Sequence, residues 1–221
     1  MAIHRQRRFL KHMKKTSEIS VLVADDHYVV RMGVIAIINN EPDMAVVAEA
    51  ANGVQAVELF LKHKPDLVLL DSRMPQKDGV AVAREIRGHS HTARILMLTA
   101  FDGDEDIHKA LTAGVQGYVL KNATGEQLVP AIRAVAAGEN WIPPEVAGRL
   151  AGREQYEPLT PRELEVLNEL AKGLANKQIA DVMNISQHTT KGYLKTILTK
   201  LHVADRTEAV TVAIQRGLIH I

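Results

Sequence analysis

Cysteine is absent from the 221 residues, which excludes disulfides, thiolate metal sites and thiol nucleophiles and fits a reducing compartment. Long apolar runs are missing too, and no stretch approaches the roughly 20 residues needed to cross a bilayer. The opening residues are basic but lack the apolar segment and small-residue cleavage site of a secretory signal. A cytoplasmic location with no membrane partner is therefore expected. Neither a low-complexity segment nor an internal repeat stands out. What remains is a chain with 46% hydrophobic residues, ordinary for a globular protein and long enough for one large domain or two small ones.

The formal net charge of +1 hides a division along the chain. Residues 1–18 carry a balance of +5, residues 19–137 of −4, residues 138–158 of −2 and residues 159–221 of +2. An acidic body and a mildly basic C-terminal piece say more than the total, although the bias alone is weak support for a nucleic-acid partner. The leading segment Met1–Lys15 holds Arg5, Arg7, Arg8, Lys11, Lys14 and Lys15. It reads as a disordered, dispensable tail, with Met13 as an alternative start and a DNA- or membrane-attracted arm as the competing reading.

From Ile19 to Ala137, short apolar runs alternate with helical patterns. The runs Ser20–Ala24, Ala45–Ala48, Leu67–Leu70, Ile95–Leu98 and Gly117–Leu120 are rich in Val, Leu or Ile, as strands buried on both faces should be. Between and after them, Val29–Asn39, Val54–His63, Val80–Arg87, Glu105–Ala113 and Glu126–Ala136 space their apolar residues as helices do. Strand and helix in fivefold alternation imply a doubly wound parallel sheet, a flavodoxin-like fold. The stretch 138–158 holds Gly138, Pro143, Pro144, Gly148, Gly152 and Pro158 and reads as a linker in which Val146–Leu150 could form a short helix. Beyond it no strand pattern follows. Thr160, Pro161 and Glu163 spell a helix start, and four helical segments make residues 159–221 a small all-α domain.

Ligands of open parallel sheets sit beyond the carboxyl ends of the strands. There the first strand ends in Asp25-Asp26, the third in Asp71, the fourth in Thr99 and the fifth in Lys121. Taken singly, each is an ordinary polar cap; at four parallel strand ends together, they form a pocket. Three neighbouring carboxylates repel one another and need a cation, and oxygen ligands without Cys or His favour Mg²⁺.

These residues resemble the receiver domain of response regulators, over about 120 residues and with five separated features in the right order. The resemblance implies that Asp71 is the phosphoacceptor and that Asp25, Asp26, Asp71 and the backbone carbonyl of Arg73 hold Mg²⁺. It implies that Thr99 and Lys121 contact the phosphoryl group. Tyr118 occupies the place of the aromatic that moves with this threonine; a half-buried strand tyrosine is the plain alternative. Carboxylates do act as nucleophiles toward phosphorus, and phosphoryl transfer is mainly positioning and charge neutralisation. Ser72 departs from the usual apolar residue after the acceptor. A phosphatase of the haloacid-dehalogenase type would need a second Asp where Arg73 stands. Beyond phosphorylating itself and slowly losing the group, the chain is not expected to be an enzyme.

Residues 159–221 resemble the DNA-binding domain of LuxR/FixJ (NarL)-type regulators, through Leu159–Glu163, Glu165-Val166-Leu167, Gly173–Lys177, Ile179-Ala180, Ile185-Ser186, Thr189 with Lys191, Lys200-Leu201, Asp205-Arg206-Thr207 and Arg216–Ile219. Ile179–Ser186 and Gln187–Leu201 form a helix-turn-helix pair, whose second helix enters the major groove. Lys191 and Lys195 share one face of it and, with Thr189 and Lys177, are the candidate DNA contacts; elsewhere such a face would simply be solvated. Gly192 is unusual, since a mid-helix glycine costs about 1 kcal/mol relative to alanine. One copy should bind weakly, so a homodimer on two half-sites about 34–36 Å apart is expected. Val210, Val212, Ala213 and Ile214 are its apolar candidates, although core packing would explain them equally.

The implied partners are a sensor histidine kinase or small phosphodonor, double-stranded DNA and, as a further candidate, RNA polymerase. Control is expected to run through a receiver that covers the recognition helix until Asp71 is phosphorylated. Moving such an equilibrium from 1:99 to 99:1 takes about 5.5 kcal/mol. The alternative is a phosphorylation-independent regulator whose receiver only dimerises.

Overall fold

The computed structural model describes residues 18–100, 103–153 and 156–220. The basic tail expected over residues 1–18 lies outside these, apart from Glu18. Five parallel strands, β1 (Ile19–Ala24), β2 (Met44–Ala50), β3 (Leu67–Asp71), β4 (Arg94–Thr99) and β5 (Gly117–Leu120), form one sheet in the order β2-β1-β3-β4-β5. The helices that alternate with them are α1 (Tyr28–Asn39), α2 (Gly53–His63), α3 (Gly79–His89), α4 (Asp104–Thr112) and α5 (Gly125–Ala137). This is the doubly wound fold that the apolar periodicity predicts.

Alternation along each strand divides the core into two layers. Leu22, Val68, Leu70, Ile95, Met97 and Tyr118 face α2, α3 and α4. Their neighbours Val21, Leu69, Leu96, Leu98 and Val119 face α1 and α5. Each fully buried aliphatic side chain contributes about 1.5–3 kcal/mol relative to exposure. Because both faces are covered, the polar residues have only the strand ends left to them. Strand order then brings the ends of β1, β3, β4 and β5 side by side.

Helices α2 and α3 begin one residue earlier than the apolar spacing suggests, because side chains cap them. Asn52 Oδ1 accepts from the Gln55 amide at 2.9 Å, and Asp78 Oδ1 from the Ala81 amide at 2.7 Å. Each satisfies one of the amides that a helix start leaves without a partner. Between Asp78 and α3 the chain passes so close to the acceptor strand that a Cβ on Gly79 would overlap the Asp71 carbonyl.

The stretch 138–158 is more ordered than its glycines and prolines suggest. Trp141 pairs with β5: its amide donates to the Gln116 carbonyl at 3.0 Å and its carbonyl accepts from the Tyr118 amide at 2.8 Å. Helix α6 (Pro144–Arg153) follows, burying Val146 in the same layer as Tyr118. Pro144 opens the helix where a missing amide proton costs nothing.

The C-terminal part consists of α7 (Pro161–Ala171), α8 (Asn176–Met183), α9 (Gln187–Leu201) and α10 (Arg206–Gln215). Val166, Leu167, Leu170, Ile179, Ile197, Leu201, Ala209 and Ala213 form its core. Thr160 caps α7 as the sequence pattern predicts. Its amide donates to Glu163 Oε2 at 2.7 Å, and its hydroxyl accepts from the Glu163 amide at 3.3 Å. Glu163 also accepts from Lys200 Nζ at 2.9 Å, which ties the start of α7 to the end of α9.

Candidate functional site

The sheet edge assembles the predicted acidic pocket. Asp25 and Asp71 are buried at the ends of β1 and β3, while Asp26 is exposed at the rim. One donor atom from each of Asp25, Asp26, His27 and Asp71 lies within 4.8 Å of the others. Lys121, just past β5, reaches back with its ammonium 2.7 Å from Asp71 Oδ2 and 2.9 Å from Asp25 Oδ2. One ammonium among three carboxylates leaves an excess of negative charge in a partly dry place, and that imbalance is what a divalent cation corrects. Asp25 Oδ2 is buried without a hydrogen bond of ordinary geometry, so the donor set could hold a metal ion.

Burial pushes the Asp71 carboxyl up to about 6; Lys121 opposes the rise and Asp25 adds to it. For Lys121, burial works against the charged form, but its bonds to Asp71 and Asp25 outweigh that and raise its pKa. The ammonium is therefore a fixed positive charge. The Arg73 amide donates to Asp71 Oδ1 at 3.2 Å, which places the Arg73 backbone beside the acceptor while its side chain is exposed.

Thr99 is buried at the end of β4, where its hydroxyl accepts from Ser72 Oγ at 3.4 Å. Ser72, the departure noted in the sequence, thus sits against Thr99. Tyr118 is fully buried rather than half-buried, and its hydroxyl donates to the Ile107 carbonyl of α4 at 3.4 Å. An open cleft at this edge is lined by Asp26, Ser72, Arg73, Pro75, Met97 and His220.

His27 escaped the sequence reading. Its Nδ1 lies 2.7 Å from Asp26 Oδ1 and 3.5 Å from Asp25 Oδ1, and its amide donates to Asp25 Oδ1 at 2.7 Å. Adjacency to Asp25-Asp26 was the available signal.

The second site is the pair α8–α9. Asn184 adopts a left-handed conformation (φ 53°) that ends α8, and Ser186 caps α9 by accepting from the Thr189 amide at 2.9 Å. Thr190 packs inside the domain, whereas Gln187, His188, Thr189, Lys191, Gly192 and Lys195 are exposed on α9, and Lys177 is exposed on α8. The Thr189 hydroxyl lies 2.8 Å from Ser186 Oγ and is part of the cap. A Cβ on Gly192 would meet open space, so nothing among the described residues requires glycine there.

The expectation that the receiver covers the recognition helix is not met. The two parts meet instead through the first turn of α4 and the residues after α10, where Arg216 binds Asp104. Of the dimer candidates, Ala213 is in the domain core, Val210 and Val212 are half-buried, and Ile214 is 39% exposed.

No helix of the described residues is long and apolar enough to cross a membrane. Residues 21–133 match the response regulator receiver domain, and residues 157–213 match the bacterial regulatory proteins of the luxR family. The response regulator protein VraR of Staphylococcus aureus is 39% identical over 206 residues, covering 91% of this chain and 99% of VraR. Among solved structures, the response regulator ChrA of a heme-sensing two-component system is 38% identical with a TM-score of 0.57, covering 92% of this chain and 100% of that one. RcsB of Salmonella enterica serovar Typhimurium, bound to promoter DNA with the phosphomimetic BeF3−, is 25% identical with a TM-score of 0.70, covering 88% and 97%. A receiver fold with an acidic pocket at its strand ends, followed by a four-helix DNA-binding fold, places this chain in the family of two-component response regulators with a LuxR-type DNA-binding domain, which regulate transcription.

Proposed function

We propose that Asp71 accepts a phosphoryl group from a sensor histidine kinase, or from a small phosphodonor, and that the modification controls dimerisation and sequence-specific DNA binding. The observation that carries this reading is the position of Asp71, buried and bonded to Lys121 at 2.7 Å among the carboxylates of the strand edge. The units are a receiver over residues 19–137, a linker over 138–158 and a DNA-binding domain over 159–221, in a cytoplasmic protein.

An Asp71 oxygen attacks the donor phosphorus. The P–N bond of a phosphohistidine, or the P–O bond of an acyl phosphate, breaks, and the leaving group departs with its electron pair. Lys121 neutralises charge on the transferred oxygens, and the Thr99 hydroxyl gives a hydrogen bond that exists only once the group is attached. Asp25, Asp26, Asp71 and the Arg73 carbonyl would hold Mg²⁺, which would supply further neutralisation and orient the phosphoryl oxygens. Water later hydrolyses the acyl phosphate, and the chain has no other catalytic activity. On the DNA side, Lys191 and Lys195 would contact the groove or phosphates, with Lys177 and the start of α8 steadying the backbone. Tyr118 links the pocket to α4 and would move with Thr99. RNA polymerase is a further candidate partner.

Labelling with ³²P acetyl phosphate in excess Mg²⁺ tests this. Wild type should be marked, and both Asp71→Asn and wild type in EDTA should not. Retained DNA binding without any labelling would instead establish a phosphorylation-independent regulator whose receiver serves only for dimerisation.

A further inference from the structure

Strand register makes Ser72 a neighbour of Thr99. Asp71 pairs with Leu98, so the next step along β3 and β4 sets Ser72 opposite Thr99. Side chains alternate between the faces of a sheet, which puts this pair on the same face as Leu70 and Met97, two residues earlier on each strand. Those two form an apolar floor that offers the hydroxyls above it no polar group. Ser72 Oγ donates to Thr99 Oγ1 at 3.4 Å, and among the described residues no other side chain hydrogen-bonds the Thr99 hydroxyl.

Both main chains are pinned. The Ser72 amide donates to the Leu98 carbonyl at 3.1 Å, and the Ser72 carbonyl accepts from the Gly79 amide at 2.9 Å. Gly79 presses on the same spot, since a Cβ there would come within 2.9 Å of Ser72 Cα. The Thr99 carbonyl accepts from the Lys121 amide at 2.7 Å. With the backbone held, each hydroxyl keeps only the rotation about χ1. Their meeting is therefore a matter of two torsions inside the pocket, independent of any larger movement.

A hydroxyl has one proton to give and two lone pairs to receive with. The Ser72 proton occupies a lone pair of Thr99 Oγ1 and leaves the Thr99 proton for a different acceptor. A phosphoryl oxygen on Asp71 is such an acceptor. Ser72, Thr99 and the phosphoryl group then make one chain of hydrogen bonds in which each bond polarises the next. An apolar side chain after Asp71 has no proton with which to start that chain.

We propose that Ser72 is a positioning residue for the phosphoryl group: its hydroxyl orients Thr99 so that Thr99 donates to the phosphoryl oxygen, and two linked hydroxyls hold the modified pocket where a single one would otherwise do so. This rests on Asp71 being the phosphoacceptor.

The test is affinity for beryllofluoride in excess Mg²⁺, read on the full-length chain as the ¹⁹F resonance of the bound species. Ser72→Ala should weaken binding about twofold to tenfold, the range for one neutral hydrogen bond. Thr99→Val, which removes the receiving hydroxyl and keeps the shape, should weaken it more. Ser72→Ala added to Thr99→Val should leave affinity within about 1.5-fold of Thr99→Val alone, because the two hydroxyls act as a unit. A packing role for Ser72 does not give that result, since a loss from packing persists without the Thr99 hydroxyl. An equal loss in both backgrounds overturns the proposal, as does a loss under about 1.5-fold in the wild-type background. Tighter binding by Ser72→Ala also overturns it, and makes Ser72 a restraint on Thr99 in the unmodified chain. No uptake by wild type, or equal uptake by Asp71→Asn, overturns the Asp71 reading and this proposal with it. Uptake that depends on Asp71 but not on Ser72 overturns the role of Ser72 alone.

Discussion

The two functional surfaces are built in opposite ways. At the receiver edge, Asp25, Asp71 and Thr99 are buried and Lys121 is half-buried, each held by a neighbour before any ligand arrives. On the recognition helix, Lys191 and Lys195 stand in solvent. A site that performs chemistry needs groups fixed where charge develops, because reorganisation during the reaction raises the barrier. A surface that reads DNA obtains its order from the partner, so exposed cations on a capped helix suffice. Mutations should therefore act steeply at the first surface and gradually at the second.

The largest effect is expected at Lys121. Lys121→Met removes the cation nearest Asp71 and leaves two buried carboxylates facing each other. Labelling by acetyl phosphate should slow by about 10²–10³-fold, in line with loss of one preorganised charge contact. A loss under tenfold would mean that the pocket is less preorganised than its geometry implies, and the contrast between the surfaces would weaken.

Next comes Glu163, whose largely buried ionic contact with Lys200 inside the DNA-binding part is built in the receiver's style. Burial raises the pKa of this carboxyl, but bonds from Lys200 and Thr160 outweigh it and hold the group below the ordinary glutamate range. A depressed folded pKa contributes stability above the unfolded value, and the contribution disappears as pH falls through the folded value. Glu163→Gln should cost about 1.5–3 kcal/mol at pH 7, the range for hydrogen bonds to a charged group. The difference from wild type should begin to shrink below about pH 4 and vanish only once the pH has fallen through the depressed folded value, where both carry a neutral side chain. Urea unfolding at the two pH values measures this; an equal difference at both would assign the effect to packing instead of charge.

Smaller still is Lys191→Ala. If Lys191 meets a phosphate, affinity should fall by a similar factor on every duplex, and the slope of log K against log salt should decrease by about 1. A loss confined to one base position would assign Lys191 to base reading, and no change at all would leave it on a solvated face.

How much of this was legible beforehand follows from range in sequence. The strands and the acidic pocket were readable because apolar runs such as Leu67–Leu70 announce buried strands and parallel topology aligns their ends. The Thr160–Glu163 cap was readable because both partners lie within one turn. Trp141 gave no periodic signal, since one bridge to Gly117 has no period. Gly148 and Gly152 masked how far α6 extends. The Asp104–Arg216 pair was beyond reach, because 112 residues separate acids that look like an ordinary helix start from an arginine that looks like part of a family motif. The exposed face of the recognition helix, where cover was expected, is likewise a matter of long-range packing that no local pattern announces.

The smallest expected effect concerns Gly192, and it sharpens the comparison most. At the receiver edge, glycine is enforced by crowding, since a Cβ on Gly79 would strike the acceptor strand. Gly192 stands in the middle of α9 with open space around it, so the folded chain loses helix propensity there with no gain in packing. Gly192→Ala should therefore stabilise the protein by about 1 kcal/mol, read as a higher urea midpoint with an unchanged slope. If the missing side chain lets the backbone approach DNA, the same methyl group should weaken binding to a selected duplex while stability rises. Opposite signs in the two measurements would place the reason for this glycine in the absent partner. A gain in stability with unchanged affinity would show that α9 keeps its distance from the groove at this turn.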